Sequence, residues 1–507
     1  MKHQRALTGV ALAALVAAFV PTIASAQSKP QPAPTPAPLS TPLSSLPPAS
    51  TQTTLPYPAY GSPAPADLLG IPAAGVPDNI SLDQAVAVGF AKSPLLAAAR
   101  ADILSADAPV KLARNAVLPN VSGTLSTSRN HRQPGSNSTS GNLGSGNSGS
   151  GTSSSGGFSA DTTSNLASLQ LRQLIFDGGK IAAQYHAAQA TQNATLATYK
   201  RQLQTVAFNV ATAYYNYLAA KRATAVAVET VKLNQTQENL VTAQFRAGAA
   251  ARADIATAQL PTAQARLALV RAQGTELQQQ AVFANAMGLD AGAAVTPIDD
   301  TPALASTSAI STLSIPTYAQ AVTRALALRP DFAATTYTRD SAIASLRAAK
   351  LGLFPTLNGT VGQNVASTDS TGGTFRNNSA IGIALSIPLF DQGITAAQSQ
   401  QAQAALDRDN ALLNNARLGI QLNVKQALVS LITARAGLDQ ANAELVKAQE
   451  VLRSTQAQYR AGVTTLPLLL NAQVGLTTAL TDQVTTVYSL RQAEQAFLFA
   501  EGANAAL

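Results

Sequence analysis

Two six-residue stretches, Ala243-Gln244-Phe245-Arg246-Ala247-Gly248 and Ala457-Gln458-Tyr459-Arg460-Ala461-Gly462, read as one turn written twice. Each closes a long run without proline, beginning at Gly179 in the first case and Gly393 in the second. A glycine just past a basic residue is a helix stop: it takes the left-handed conformation without steric penalty, and the cation suits the carboxyl end of the helix dipole. From Lys180 to Arg246 such a helix would be about 100 Å long at 1.5 Å per residue. A return helix is predicted after each turn, from about Asp254 to Met287 and from about Leu468 to Phe499.

The turns belong to a larger internal repeat. At an offset of 214, Phe176-Asp177 matches Phe390-Asp391, Gly179 matches Gly393, and Ala182-Ala183-Gln184 matches Ala396-Ala397-Gln398. Nearer the N-terminus the offset is 236: Gln84-Ala85-Val86 matches Gln320-Ala321-Val322, Pro94 matches Pro330, and Pro119 matches Pro355. The Gly/Ser-rich stretch from Gly135 to Gly157 in the first copy accounts for the change. We therefore divide the chain into a signal peptide (1–26), a Pro/Ala/Ser-rich leader (27–78) and two copies, 79–295 and 296–507.

Each copy has one local grammar. A helix, Leu95 to Val117 or Asp331 to Leu353, stops at Pro119 or Pro355. A strand follows, Val121 to Arg129 or Leu357 to Val365, then a polar loop and a second strand. In copy two that strand is Ile381 to Leu389, with large apolar residues at alternate positions; in copy one Leu169 and Leu171 alternate with Gln170 and Arg172. Phe176, Asp177 and Gly179, with Phe390, Asp391 and Gly393, mark the passage from strand to long helix. Strands of about nine residues can cross a bilayer when tilted. Four of them cannot close a barrel, and open edges are not tolerated in hydrocarbon. A helix of about 100 Å likewise needs neighbours along its length. The expected fold is mainly α with a transmembrane β-barrel shared among several copies, whose number the strand count leaves open.

Composition limits the rest. Charged residues are 12% of the chain, against the usual quarter. Lys2 and Arg5, the apolar run Ala6 to Val20 and the motif Ala24-Ser25-Ala26 form a secretory signal, whose removal lowers the net charge from +8 to +6. No later stretch is long and apolar enough for a spanning helix. Without cysteine there are no disulfides, zinc–thiolate sites or lipidated N-terminal cysteine. The basic residues form no stripe with aromatics, so nucleic acid is not an expected partner. Three histidines, one of them in the signal, are too few for a triad or a metal site, and no catalysis or cofactor is expected. Asp177-Gly178-Gly179-Lys180 lacks the spacing of a phosphate loop and reads as the strand-to-helix turn.

The duplication, the run Ile387-Pro388-Leu389-Phe390-Asp391 opening a long helix, and the Phe245/Tyr459-Arg-Ala-Gly turns resemble the TolC-like outer-membrane factor family over nearly all of the chain from Ser81. That resemblance implies a homotrimer with a twelve-stranded outer-membrane barrel and a twelve-helix periplasmic tunnel. It implies a passive exit channel of a Gram-negative tripartite efflux or type I secretion system. Its partners would be a periplasmic adaptor (membrane fusion protein), an inner-membrane transporter and outer-membrane lipid. Phe245, Arg246, Ala247 and Gly248, with Tyr459, Arg460, Ala461 and Gly462, would be the adaptor-docking tips, their arginines also capping helix carbonyls. Asp254, Tyr459, Thr464, Leu468 and Asn471 would form the periplasmic gate, with Asp254 accepting a hydrogen bond from Tyr459 or simply serving as a helix N-terminal carboxylate. Leu468 and Asn471 stand where the family's well-known channel carries two aspartates, and Thr464 replaces the arginine of its lock. The long loop from His131 to Asn165 is expected outside the cell. The competing readings are a periplasmic adaptor, which would lack the duplication and the bilayer-length strands, and a helical scaffold without a membrane barrel.

Overall fold

Helix starts and stops set the element order. A computed structural model describes residues 79–131, 161–299, 315–368 and 375–503, all within the unit Pro63–Leu507. The signal, the leader and most of the expected outer loop lie outside the described residues. The first half runs β1 (Asn79–Ile80), α1 (Leu82–Lys92), α2 (Pro94–Asn115), β2 (Asn120–His131), β3 (Asp161–Phe176), α3 (Lys180–Arg246) and α4 (Arg252–Ala286). The second half has the same order: β4 (Thr296–Pro297), α5 (Tyr318–Leu328), α6 (Pro330–Lys350), β5 (Thr356–Thr368), β6 (Arg376–Ser386), α7 (Ile394–Arg460) and α8 (Leu466–Glu501). β1 lies parallel to β4 and ties the halves together at their beginnings.

α3 and α7 are each 67 residues long, about 100 Å. α3 is covered on several sides, and α7 buries one stripe, including Ile420, Val424, Leu428, Leu431 and Leu438. Toward the sheet, α3 packs against α2 and α6, and α6 also packs on α7. Toward the turns, the packing sequence is α4, α3, α8, α7. The sheet has the corresponding order β2-β3-β5-β6, all antiparallel. One core gathers Phe90, Tyr214, Tyr217, Phe283, Met287 and Tyr488, with the rings of Tyr214 and Phe283 edge to face at 5.6 Å. A second packs Ile420, Val424, Leu428 and Leu431 of α7 against Val487, Leu490 and Phe497 of α8. Full burial of each such side chain contributes about 1.5–3 kcal/mol.

The end of α8 is held by two arginines, Arg329 buried and Arg201 partly so. Arg329 donates through Nε and Nη2 to the two Asp331 carboxylate oxygens at 3.1 and 2.6 Å, and through Nη1 to the Ala500 carbonyl at 3.3 Å. Arg201 lies over the Phe499 ring, 3.7 Å from its centroid, and donates to the Phe499 carbonyl at 3.1 Å. Burial lowers its pKa to about 10, against the opposing charge of Asp331. For Asp331, burial acts to raise the pKa, but the hydrogen bonds and charge of Arg329 outweigh it and hold the carboxyl below its usual range.

Three expectations are corrected. Each copy has a short helix ahead of the one expected, begun by a reciprocal cap: Ser81 N donates to Gln84 Oε1 and Thr317 N to Gln320 Oε1, both at 3.1 Å. The break between the two helices falls at Ser93 and Arg329, which adopt extended ψ values of 120° and 118° because each precedes a proline. The second strand of copy two is Arg376–Ser386 rather than Ile381 to Leu389. Pro388 has no N–H for a ladder, so the strand ends before it. At its other end Arg376 to Ser379, expected in the polar loop before it, pair with Ala366 to Gln363 of β5.

Candidate functional site

The register of the sheet decides what each face can touch. Val121, Leu171, Val361 and Ile381 form one row across all four strands, and Ser122, Gln170, Gly362 and Ala380 form the next row on the opposite face. Side chains alternate strictly along a strand. One face therefore carries Leu125, Leu169, Val365, Ile383 and Leu385, and the other Thr124, Ser126, Ser168, Thr360 and Asn364. The apolar face is bare in the single chain: Leu125 is 87% exposed and Ile381 85%. β2 and β6 are paired on one side only among the described residues, so the sheet has two open edges. No described helix is long and apolar enough to cross a membrane.

The passage from strand to long helix is the same device in both halves. Asp177 accepts from the amides of Gly179 at 2.9 Å and Ile181 at 2.5 Å; Asp391 accepts from those of Gly393 at 3.1 Å and Thr395 at 2.7 Å. The Asp391 carboxyl is held below its usual range, first by the Thr395 hydroxyl and then by these amides. The carboxylates satisfy helix N-terminal donors that have no intrahelical partner. Asp177-Gly178-Gly179-Lys180 is thus a helix start. Pro119 and Pro355 precede β2 and β5 directly, and Phe176 and Phe390 precede the capping aspartates. Phe354, just before Pro355, packs against Gly178 so closely that a Cβ there would fall 2.6 Å from the phenylalanine Cβ.

The two turns are superimposable in their bonding. Gly248 has φ +75° and Gly462 has φ +71°. Gly248 N donates to Phe245 O at 2.9 Å and Ala249 N to Gln244 O at 2.8 Å; Gly462 N donates to Tyr459 O at 3.1 Å and Val463 N to Gln458 O at 3.0 Å. The carbonyls are thus capped by backbone amides, and not by the guanidinium groups of Arg246 and Arg460 as expected; both side chains are exposed. Ala247 and Ala461 are exposed as well, and Phe245 is 40% exposed.

A small core joins the turns: Val241, Ala258 and Leu466 are buried together, with Ile255, Tyr459 and Leu470 packed against them. The expected bond between Tyr459 and Asp254 is not made within the chain. Tyr459 donates instead to Gln244 Oε1 at 3.0 Å, and Asp254 accepts from the Ala251 amide at 2.9 Å, as a helix N-terminal carboxylate. Burial, then the Asp254 charge, raises the Tyr459 pKa. Leu468 and Asn471 share an exposed flank of α8, Thr464 is half-buried, and Leu466 and Leu469 face inward. Sequence reasoning missed Gln244 because its partner lies in the other copy; its place just before the first turn was the available signal.

A bilayer-length sheet, apolar on one face and polar on the other, mounted on helices of about 100 Å, defines a membrane-wall protein with a long extramembrane part. Residues 90–289 and 321–503 match the profile of the outer membrane efflux protein family, and the chain belongs to that family. Protein CyaE of Bordetella pertussis is 28% identical over 459 residues, covering 90% of this chain and 89% of that protein. The outer membrane efflux protein BepC of Brucella suis is 23% identical, covering 82% and 85%. The crystal structure of CusC shares the fold with a TM-score of 0.71 at 18% identity, covering 83% of this chain and 92% of that one. The protein is thus an outer-membrane efflux or export protein with a large periplasmic helical part, and the adaptor and scaffold readings are set aside.

Proposed function

We propose that three copies of this chain close into one duct, a twelve-stranded barrel continued by a twelve-helix tunnel. The duct passively carries substrates from an inner-membrane transporter to the outside. The observation that carries this reading is the coincidence of open edges. The sheet ends at β2 and β6, and the helical layer ends at α4 and α7 on the same two sides. Both outer helices bear exposed apolar side chains, Leu260, Leu267, Val270 and Leu277 on α4 and Leu418, Leu422, Val429 and Ile432 on α7. One head-to-tail contact between copies would cover both edges at once, and a rotation that closes yields a ring.

In this duct the turns at Phe245 to Gly248 and Tyr459 to Gly462 are the periplasmic tips that meet the adaptor. Asp254, Tyr459, Thr464, Leu468 and Asn471 lie just beyond them, where the tunnel narrows, and form the gate. The exposed flank of Leu468 and Asn471 supports that placement. The two copies, 79–295 and 296–507, supply equivalent halves of the wall, and the signal (1–26) directs export. Light scattering of the detergent-solubilised protein tests the assembly: a trimer is expected, and a stable folded monomer would overturn it.

A further inference from the structure

The polar face of the sheet carries charge of one sign. Arg172 pairs in register with Asn120 and Thr360, and Arg376 with Ala366. Both therefore stand in the rows of Ser122, Gln170 and Asn364, on the face opposite Val121 and Ile381. The four strands contain a single acidic residue, Asp161, and its pairing with His131 puts it at a position of the other set of rows. Arg172 and Arg376 are exposed, and neither has an ion-pair partner among the described residues. They lie at opposite ends of the strands, Arg172 beside the helix junction and Arg376 at the far end. The matching positions in the other copy are Ser386 and Thr162, so each half contributes one arginine.

We infer that Arg172 and Arg376 line the barrel as two stacked positive rings and make it selective for anions, multivalent anions above all. This rests on the threefold closure proposed above. Twelve strands spaced about 4.8 Å apart and tilted about 40° enclose a backbone radius of about 12 Å. An arginine side chain pointing inward spans a good part of that distance. At ~0.1 M salt the Debye length is about 10 Å, so three such charges reach across the whole section. Three unit charges at about 7 Å in water, each attenuated about twofold by salt, enrich a monovalent anion roughly fourfold at the ring. The effect compounds with each further charge on the anion. Among the described residues that face carries no carboxylate to counter the rings, and an arginine unpaired inside a pore is a selectivity device.

The test uses the full-length protein in planar bilayers under a KCl gradient near 0.1 M, comparing the parent with Arg172→Gln, Arg376→Gln, the double variant and Arg172→Glu. The chloride-to-potassium permeability ratio should be a few-fold above one in the parent. It should fall stepwise toward one in the double variant, drop further in Arg172→Glu, and collapse for the parent in ~1 M salt, where the Debye length is about 3 Å. Inorganic triphosphate added from the barrel side should block the parent and spare the double variant. A monomer by light scattering would refute the duct itself. A conducting trimer whose double variant keeps the parent's permeability ratio and triphosphate block would overturn the arginine rings alone.

Discussion

Replacing Asp331 with asparagine strips the carboxylate from a guanidinium that has almost no access to water. The Arg329 side chain is 5% exposed and holds Asp331 at 2.6 Å, while Asp331 itself is 38% exposed. Removing one partner of a fully buried pair costs about 3–5 kcal/mol, and the water that reaches Asp331 lowers the expectation to about 2 kcal/mol. The loss falls on the end of α8, because the same arginine holds the Ala500 carbonyl and Arg201, 3.8 Å from Asp331, holds that of Phe499. A loss of about 2 kcal/mol is about 30-fold in a local opening equilibrium. Amide hydrogen exchange of the Leu498 to Gly502 segment in detergent should therefore accelerate by roughly that factor, while Val424 and Leu428 in the adjacent core stay protected. The pH dependence has a definite sign. Asp331 is depressed in the folded state, so its contribution is complete above the unfolded value near 3.9 and lost as pH falls through the folded one. Parent and variant should differ throughout the neutral range and converge in acid. Unchanged exchange at pH 7 would refute the claim that the ion pair anchors the helix end.

Two further outcomes are expected. Gly248 and Gly288 have φ values of +75° and +74°, yet an added Cβ meets nothing within 4 Å at Gly248 and lies 2.7 Å from the Lys92 carbonyl oxygen at Gly288. Gly248→Ala should cost about 1–2 kcal/mol of conformational strain, and Gly288→Ala about 1–3 kcal/mol more for the overlap; equal losses in thermal unfolding would contradict this. At the tips, Tyr459→Phe and Gln244→Ala should each raise the resting conductance and be non-additive, with a coupling of about 0.5–1.5 kcal/mol. Asp254→Ala should act independently of both, and a coupling to Tyr459 as large as that of Gln244 would restore the bond not seen here.

What was legible in the sequence was what a single residue's backbone preference decides. Gly248 and Gly462 stop the long helices, Asp177 and Asp391 start them, and the alternation of Ile381, Ile383 and Leu385 gives a strand with two unlike faces. What stayed hidden depends on partners distant in the chain. Arg376 to Ser379 look like loop until β5 supplies their ladder. Tyr459 finds Gln244 across 215 positions, and Arg201 finds Phe499 across 298. The short helices α1 and α5 were a different omission: Ser81 with Gln84 and Thr317 with Gln320 spell reciprocal caps, and Pro94 and Pro330 restart the chain one helix later.

The equal length of α3 and α7 turns the protein into a ruler. Both are 67 residues long, set between a capping aspartate and a glycine turn, and Val241, Tyr459 and Leu466 pack the two turns together. Lengthening one helix alone would slide its turn past the other and pull that contact apart. An insertion of three residues would also rotate every later side chain by about 300° and bring polar residues into the packed seam. Seven residues advance the tip by about 10.5 Å and return each side chain to within about 20° of its former direction. A change of reach must therefore come in steps of about two helical turns, made together in α3, α4, α7 and α8. The distance this protein projects from its membrane is set in discrete increments.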